Sequence, residues 1–255
     1  MVRGLDIFEN HFKDFPYNYI IIGGTACDIL IGQEGLNPRA TKDIDIILIV
    51  EAIEPSFVQK FWDFVKEGNY ERKEKDEGGR KYYRFINPEN TLFPFQLELF
   101  SRNPDLIDLD VNTHLTPIPV DDDLSSLSAI LLDEDYYHFL KTHSSIVDNV
   151  NIANIESLIC MKARAFLDMM ERKAKGEKVN ERHIKKHKSD VFRLAVLLAE
   201  RDVFDLPIKI KKDLQAFIDL VTKNIPDKLI FKSMGLSGIK PIDVYKQLKL
   251  SFKLN

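Results

Sequence analysis

Two aspartates separated by one residue, Asp43-Ile44-Asp45, open an apolar run that ends at Val50. In a strand, side chains alternate between faces, so both carboxylates share one face and Ile44 takes the other. Carboxylates about 4 Å apart repel by roughly 4 kcal/mol at an effective dielectric near 20. A divalent cation removes that repulsion, and a donor set made only of oxygen favours Mg²⁺. Taken alone, Asp-x-Asp has a plainer reading as a solvated strand end. Upstream, however, Gly23-Gly24-Thr25 directly follows the apolar run Tyr19–Ile22. Glycines there let the backbone approach a ligand closely. A helix starting at Thr25 turns free N–H groups and a positive dipole end toward an anion. Either motif has a purely structural explanation, a strand-to-helix turn in the second case. Together they describe a phosphate cradle beside a metal site.

The elements that must position these residues follow from periodicity. Residues 5–15 read as a short amphipathic helix that Pro16 ends, residues 19–22 as a strand and residues 25–31 as a helix. Residues 32–42 read as a loop over the site, and the β-branched run 44–50 as a strand buried on both faces. In SFVQKFWDFVK, residues 56–66, Ser56 is a candidate N-cap, and Phe57, Phe61, Phe64 and Val65 form a helix face that covers the sheet. Residues 70–75 and 80–87 read as strands joined at Glu77-Gly78-Gly79, and residues 95–100 as the next strand. Residues 115–120 and 127–132 read as further strands, with 136–140 closing a hairpin through Asp133-Glu134-Asp135. The acidic run Asp121-Asp122-Asp123 reads as a solvated turn. Helical periodicity takes over from about Asn151, with helices expected at 155–170, 189–201, 208–224 and 241–252. The fold class is therefore α+β: strands with flanking helices over residues 1–150, then a helical domain over 151–255.

A Gly-Gly after a strand followed by Asp-x-Asp on the next strand resembles the DNA polymerase beta-like nucleotidyltransferase superfamily. Within it, GGTACDIL and RATKDIDI look most like the AbiEii-type toxin nucleotidyltransferases of abortive-infection and toxin–antitoxin systems. The resemblance implies that Gly23, Gly24 and Thr25 hold the phosphates of a nucleoside triphosphate, with Arg39 contacting phosphate or tethering the loop. It also implies two Mg²⁺ ions and a third carboxylate, set between apolar residues on a neighbouring strand. Leu97-Glu98-Leu99 fits that description, with Asp108 and Asp110 as competitors and an exposed, inert glutamate as the alternative. The implied catalytic group is then Asp43, Asp45 and Glu98 as metal ligands, with Lys162 and Asp190 from the helical region.

Lys162 falls on the apolar stripe of Ile155, Leu158, Ile159, Phe166 and Met169. Burying an unpaired lysine is expensive, so it either snorkels to solvent or meets an anion; the toxin branch has a helical lysine there, aimed at the triphosphate. Asp190 either caps a helix beginning at Lys188-Ser189-Asp190 or is the acid that the toxin branch requires. The second aspartate often found near the arginine in that branch is absent from Phe192-Arg193.

Residues 171–188 carry eight Lys or Arg against three Glu, plus His183 and His187. They read as a solvated connection or as a phosphate-contacting patch for tRNA or another polyanion. Overall net charge is −4, so general attraction to nucleic acid is not expected. Cys27 and Cys160 read as separate reduced thiols rather than a disulfide or zinc site. No apolar run approaches the ~20 residues of a membrane span, and the acidic N-terminus differs from a signal peptide, so a cytoplasmic protein is expected. The expected partners are a nucleoside triphosphate, an acceptor such as a tRNA 3′ end, and an antitoxin-like protein. A non-catalytic binding module and an antibiotic-modifying enzyme are the competing functions.

Overall fold

The computed structural model describes residues 2–76, 81–100, 116–117, 130 and 133–255. The chain is α+β and divides into two compact units, one of Met1–Ile29, Ala40–Pro119 and Ser144–Ala153, the other of Leu30–Arg39, Val120–His143 and Asn154–Asn255.

The first unit is built on a mixed sheet. Its strands are β1 (Tyr19–Ile22), β2 (Asp43–Leu48), β3 (Glu71–Asp76), β4 (Lys81–Ile86), β5 (Gln96–Phe100), β6 (Thr116–Pro117), β7 (Ser144–Val147) and β8 (Val150–Ala153). Among the described residues the spatial order is β6-β3-β4-β5-β2-β1-β8-β7. At its centre β2 runs antiparallel to β1 and parallel to β5. Helices α1 (Leu5–Phe12) and α3 (Pro55–Gly68) belong to this unit, and α2 (Gly23–Gln33) begins in it.

Register divides the two sheet faces. Leu48 lies opposite Tyr19 and Ile46 opposite Ile21, while Ile44 pairs with Leu97 and Leu97 with Phe85. Paired residues share a face, so these side chains form one apolar surface. Tyr19 meets Phe8, Phe12 and Phe57, and Phe85 meets Phe61 and Trp62. The aromatic residues of α1 and α3 therefore cover this face, and all of them named here are buried. Each such ring contributes roughly 1.5–3 kcal/mol by leaving water. The opposite face is left for Asp43 and Asp45, as alternation requires.

The second unit is helical among its described residues: α4 (Glu134–Thr142), α5 (Ile155–Ala174), α6 (Glu181–Ala195), α7 (Ile208–Val221), α8 (Leu229–Lys232) and α9 (Pro241–Ser251). Phe166 of α5 meets Phe217 of α7 edge to face, at 5.2 Å between ring centroids. Among the described residues, no helix is long and apolar enough to cross a membrane.

Several local expectations are corrected. The strand expected at 136–140 is helix α4: Asp133 accepts from the N–H groups of Asp135 and Tyr136, and Tyr136, Tyr137, Phe139 and Leu140 bury one helical face. Residues 144–153 form a hairpin not anticipated from sequence, turning at Asp148-Asn149 with both φ positive. The charge run is mostly helical, since α5 continues to Ala174 and α6 starts at Glu181 behind an Asn180 cap. Glu54, not Ser56, stands at the N-cap of α3, because Pro55 takes the first helical position. The Glu77-Gly78-Gly79 turn, Asp108, Asp110, the Asp121–Asp123 run and all of the expected strands at 115–120 and 127–132 except Thr116, Pro117 and Ile130 lie outside the described residues.

Candidate active site

In the first unit, β1 leads straight into Gly23, whose φ of +68° is a left-handed conformation that L side chains rarely adopt. A Cβ built on Gly23 would lie 1.8 Å from Asp45 Oδ2. The Asp45 carboxylate thus packs into the space that the missing side chain leaves. Register sets up this approach, because Asp45 pairs with Ile22, the residue just before the turn. Gly24 follows in the first turn of α2, where the N–H groups have no partner within the helix.

Thr25 is fully buried, and its hydroxyl donates to the Asp43 carbonyl at 2.6 Å. Its side chain therefore ties the helix start to the start of β2 and fixes where both aspartates stand. Asp43 and Asp45 share a face of β2, both half-buried, with Ile44 buried on the other face.

Glu98 reaches the same face, paired in register with Asp45 on its parallel neighbour. Its Oε1 lies 2.6 Å from Arg84 Nη2 and accepts from Gln96 Nε2 at 2.8 Å. Sequence reasoning missed Arg84. Its signal was a lone arginine in the middle of one strand and a lone glutamate in the middle of a later one, but pairing them requires the register.

Among the described residues, no group of three His, Cys, Asp or Glu side chains is placed to hold a metal ion. The Asp43–Asp45 pair nevertheless suits a hard cation: its donors are all oxygen, and Mg²⁺ commonly takes one or two protein carboxylates and completes its shell with water and substrate phosphate.

The second unit gathers the remaining expected residues into a cluster of their own. Lys162 and Asp190 are buried at 7% and 4% exposure. Asp190 Oδ2 lies 3.7 Å from Lys162 Nζ, and its Oδ1 lies 3.5 Å from Arg39 Nε. The lysine on the apolar stripe thus meets an anion that the chain itself supplies. Asp190 caps nothing, because α6 has already run from Glu181 by that point. His187 is buried on the same helix.

No family model matches the chain, and no curated protein matches it. Among solved structures it is similar to an antigenic nucleotidyltransferase-like protein from Paracoccidioides brasiliensis, at 15% identity over 96% of this chain and 90% of that one, with a TM-score of 0.48.

Proposed function

We propose that the chain is a metal-dependent nucleotidyltransferase. The observation that carries this reading is the Asp45 carboxylate packed against Gly23, so that an oxygen donor of the kind a hard cation takes lies beside a turn of the kind that holds phosphate. In the proposed reaction an acceptor hydroxyl oxygen attacks the α-phosphorus of a nucleoside triphosphate. The bond from that phosphorus to the bridging oxygen breaks, and pyrophosphate leaves. The hydroxyl proton passes to a carboxylate of the pair or to water. A divalent ion held by Asp43 and Asp45 would neutralise the polyphosphate and lower the pKa of the acceptor hydroxyl. The backbone at Gly23 and Gly24 would hold the terminal phosphates, and Thr25 would keep that backbone in place.

Within the second unit, the grouping of Arg39 and Lys162 around Asp190 supports a shared role for the three, with Asp190 setting where the lysine charge sits. The resemblance of GGTACDIL and RATKDIDI to AbiEii-type toxins extends the proposal to a toxin-like activity restrained by a partner protein. Arg182 and Lys185, exposed on α6, favour a polyanionic acceptor such as a tRNA 3′ end over a small molecule.

One observation favours a second reading, a module that binds nucleotide without turnover: Glu98 is engaged by Arg84. Calorimetry with each nucleoside triphosphate and Mg²⁺, followed by a product assay against total RNA and cell lysate, separates the two. Transfer requires binding plus a labelled product. Binding with no product from any triphosphate would leave the module, and no binding would remove both.

A further inference from the structure

We propose that the helical unit carries an RNA-binding surface, a band of lysine and arginine that meets the phosphate backbone and reads no bases. This deepens the nucleotidyl-transfer reading by giving an RNA acceptor a place to bind, and it rests on that reading only for the purpose of the RNA.

The net charge of −4 conceals a strong division along the chain. Residues 154–255 carry 22 Lys or Arg against 13 Asp or Glu, whereas residues 1–153 carry 14 against 27. Such an asymmetry marks the basic part as the one that suits a polyanion. Within the helical unit the fold gathers that charge. On α6, Ile184, His187 and Asp190 are buried, and Arg182, Lys185 and Lys188 run along the helix at three-residue spacing outside that face. Lys188 Nζ donates to the Asn224 carbonyl at 3.1 Å, and Arg193 Nη2 donates to Ser233 Oγ at 3.3 Å. These two bonds join α6 to the stretch 222–233, which exposes Lys223, Lys228 and Lys232.

The acids near the band are engaged elsewhere. Glu181 accepts from Lys173, Asp227 accepts from the Leu229 N–H at the start of α8, and Asp190 is buried with Lys162. Burial and the Lys185 charge hold Lys188 below the usual lysine pKa. Like charges gathered in this way repel, and a polyanion relieves the repulsion.

The chemistry of the band selects RNA phosphate over an acidic protein. Protein interfaces centre on aromatic and apolar anchors and are depleted in lysine, whereas this band is mostly lysine. The exposed aromatic residues among the described ones, Tyr17 and Phe95, lie in the first unit, so the band presents no exposed ring on which a base could stack. Contacts from lysine to phosphate carry no sequence information. RNA is favoured over duplex DNA because its single-stranded ends present the hydroxyls that an acceptor must offer.

The test is fluorescence anisotropy of the full chain with labelled oligo(U), oligo(A) and a DNA duplex as probes, in a salt titration, with circular dichroism to check folding. The wild type should bind the two RNA probes within about twofold of each other, and more weakly as salt rises. Lys185→Gln/Lys188→Gln/Lys223→Gln should weaken RNA binding at least about tenfold and flatten the slope of log K against log salt by about 2, the share of three phosphate contacts on a single strand. Lys13→Gln/Lys60→Gln/Lys212→Gln, which removes the same charge outside the band, should change binding by less than about threefold. An equal loss in the two triple variants would make the effect one of overall charge and overturn the band. Binding confined to the DNA duplex, or a preference between the RNA probes above about tenfold, would overturn it too. Displacement of RNA by polyglutamate at equal concentration of charge would assign the surface to an acidic protein instead. A wild type that binds no RNA would overturn the band and leave nucleotidyl transfer to another acceptor standing. RNA bound with no labelled product from any triphosphate would remove the transfer and leave the band.

Discussion

Replacing Gly23 by alanine drives a methyl carbon into the Asp45 carboxylate and forces an L side chain into the left-handed region. The backbone alone costs about 1–2 kcal/mol, and the clash moves a carboxylate that the proposed chemistry requires. Gly23→Ala is therefore expected to abolish nucleotide-dependent Mn²⁺ binding, while thermal unfolding shows only a moderate loss of stability. Unchanged Mn²⁺ binding would mean that the contact has no part in the site. Asp190 makes a different prediction. Asp190→Ala removes the carboxylate between Lys162 and Arg39, at a cost of about 1–3 kcal/mol. The double variant Asp190→Leu/Lys162→Met should recover most of that loss in urea unfolding. If it is no more stable than Asp190→Ala, the ion pair is not what holds α5 and α6 together.

At the scale of elements, Asp133 ties α4 to α7. It caps the first turn of α4 with one oxygen and bonds Lys209 of α7 with the other. Partial burial works to raise its pKa, but the Lys209 hydrogen bond and charge, together with the helix N–H groups, outweigh burial and hold the carboxyl below its usual value. A folded-state pKa below the unfolded one gives stability that is present above the unfolded pKa, near 3.9, and lost as pH falls through the folded value. Asp133→Ala should cost about 1 kcal/mol at neutral pH from the cap. The gap between variant and wild type should close below about pH 4. A gap that persists at low pH would assign the effect to packing instead.

This helix also shows where sequence reading stops. Tyr136, Tyr137, Phe139 and Leu140 stand at helical spacing, but the acidic Asp133-Glu134-Asp135 looks like a hairpin turn until its carboxylate is seen capping a helix. The strand–glycine–helix–strand unit around Gly23 and Asp45 was legible because both motifs are local. The Arg84–Glu98 and Lys162–Asp190 pairings were not, because each joins segments whose register or packing a single sequence does not state.

For the molecule as a whole, the cysteines report on the integrity of each unit. Burial pushes the Cys160 thiol well up, with the Glu156 and Asp213 carboxylates adding to it, and Cys27 is also buried. Native protein should resist iodoacetamide at neutral pH and take up two labels only after denaturation, as intact mass spectrometry would show. Rapid native labelling of Cys160 would mean that the helical unit opens far more readily than its packing implies. The net charge of −4 bears on acceptors, since any polyanion must be met locally rather than by the overall field.

In the proposed reaction Asp43 and Asp45, with the Gly23 turn, support transfer of a nucleotide. Its most direct measurement is label transfer from α-³²P nucleoside triphosphates to total RNA and lysate in Mg²⁺, comparing the wild type with Asp43→Asn and Asp45→Asn. The wild type should give a labelled product and matching pyrophosphate release, reduced at least about a hundredfold in either variant. Full transfer by Asp45→Asn would contradict it.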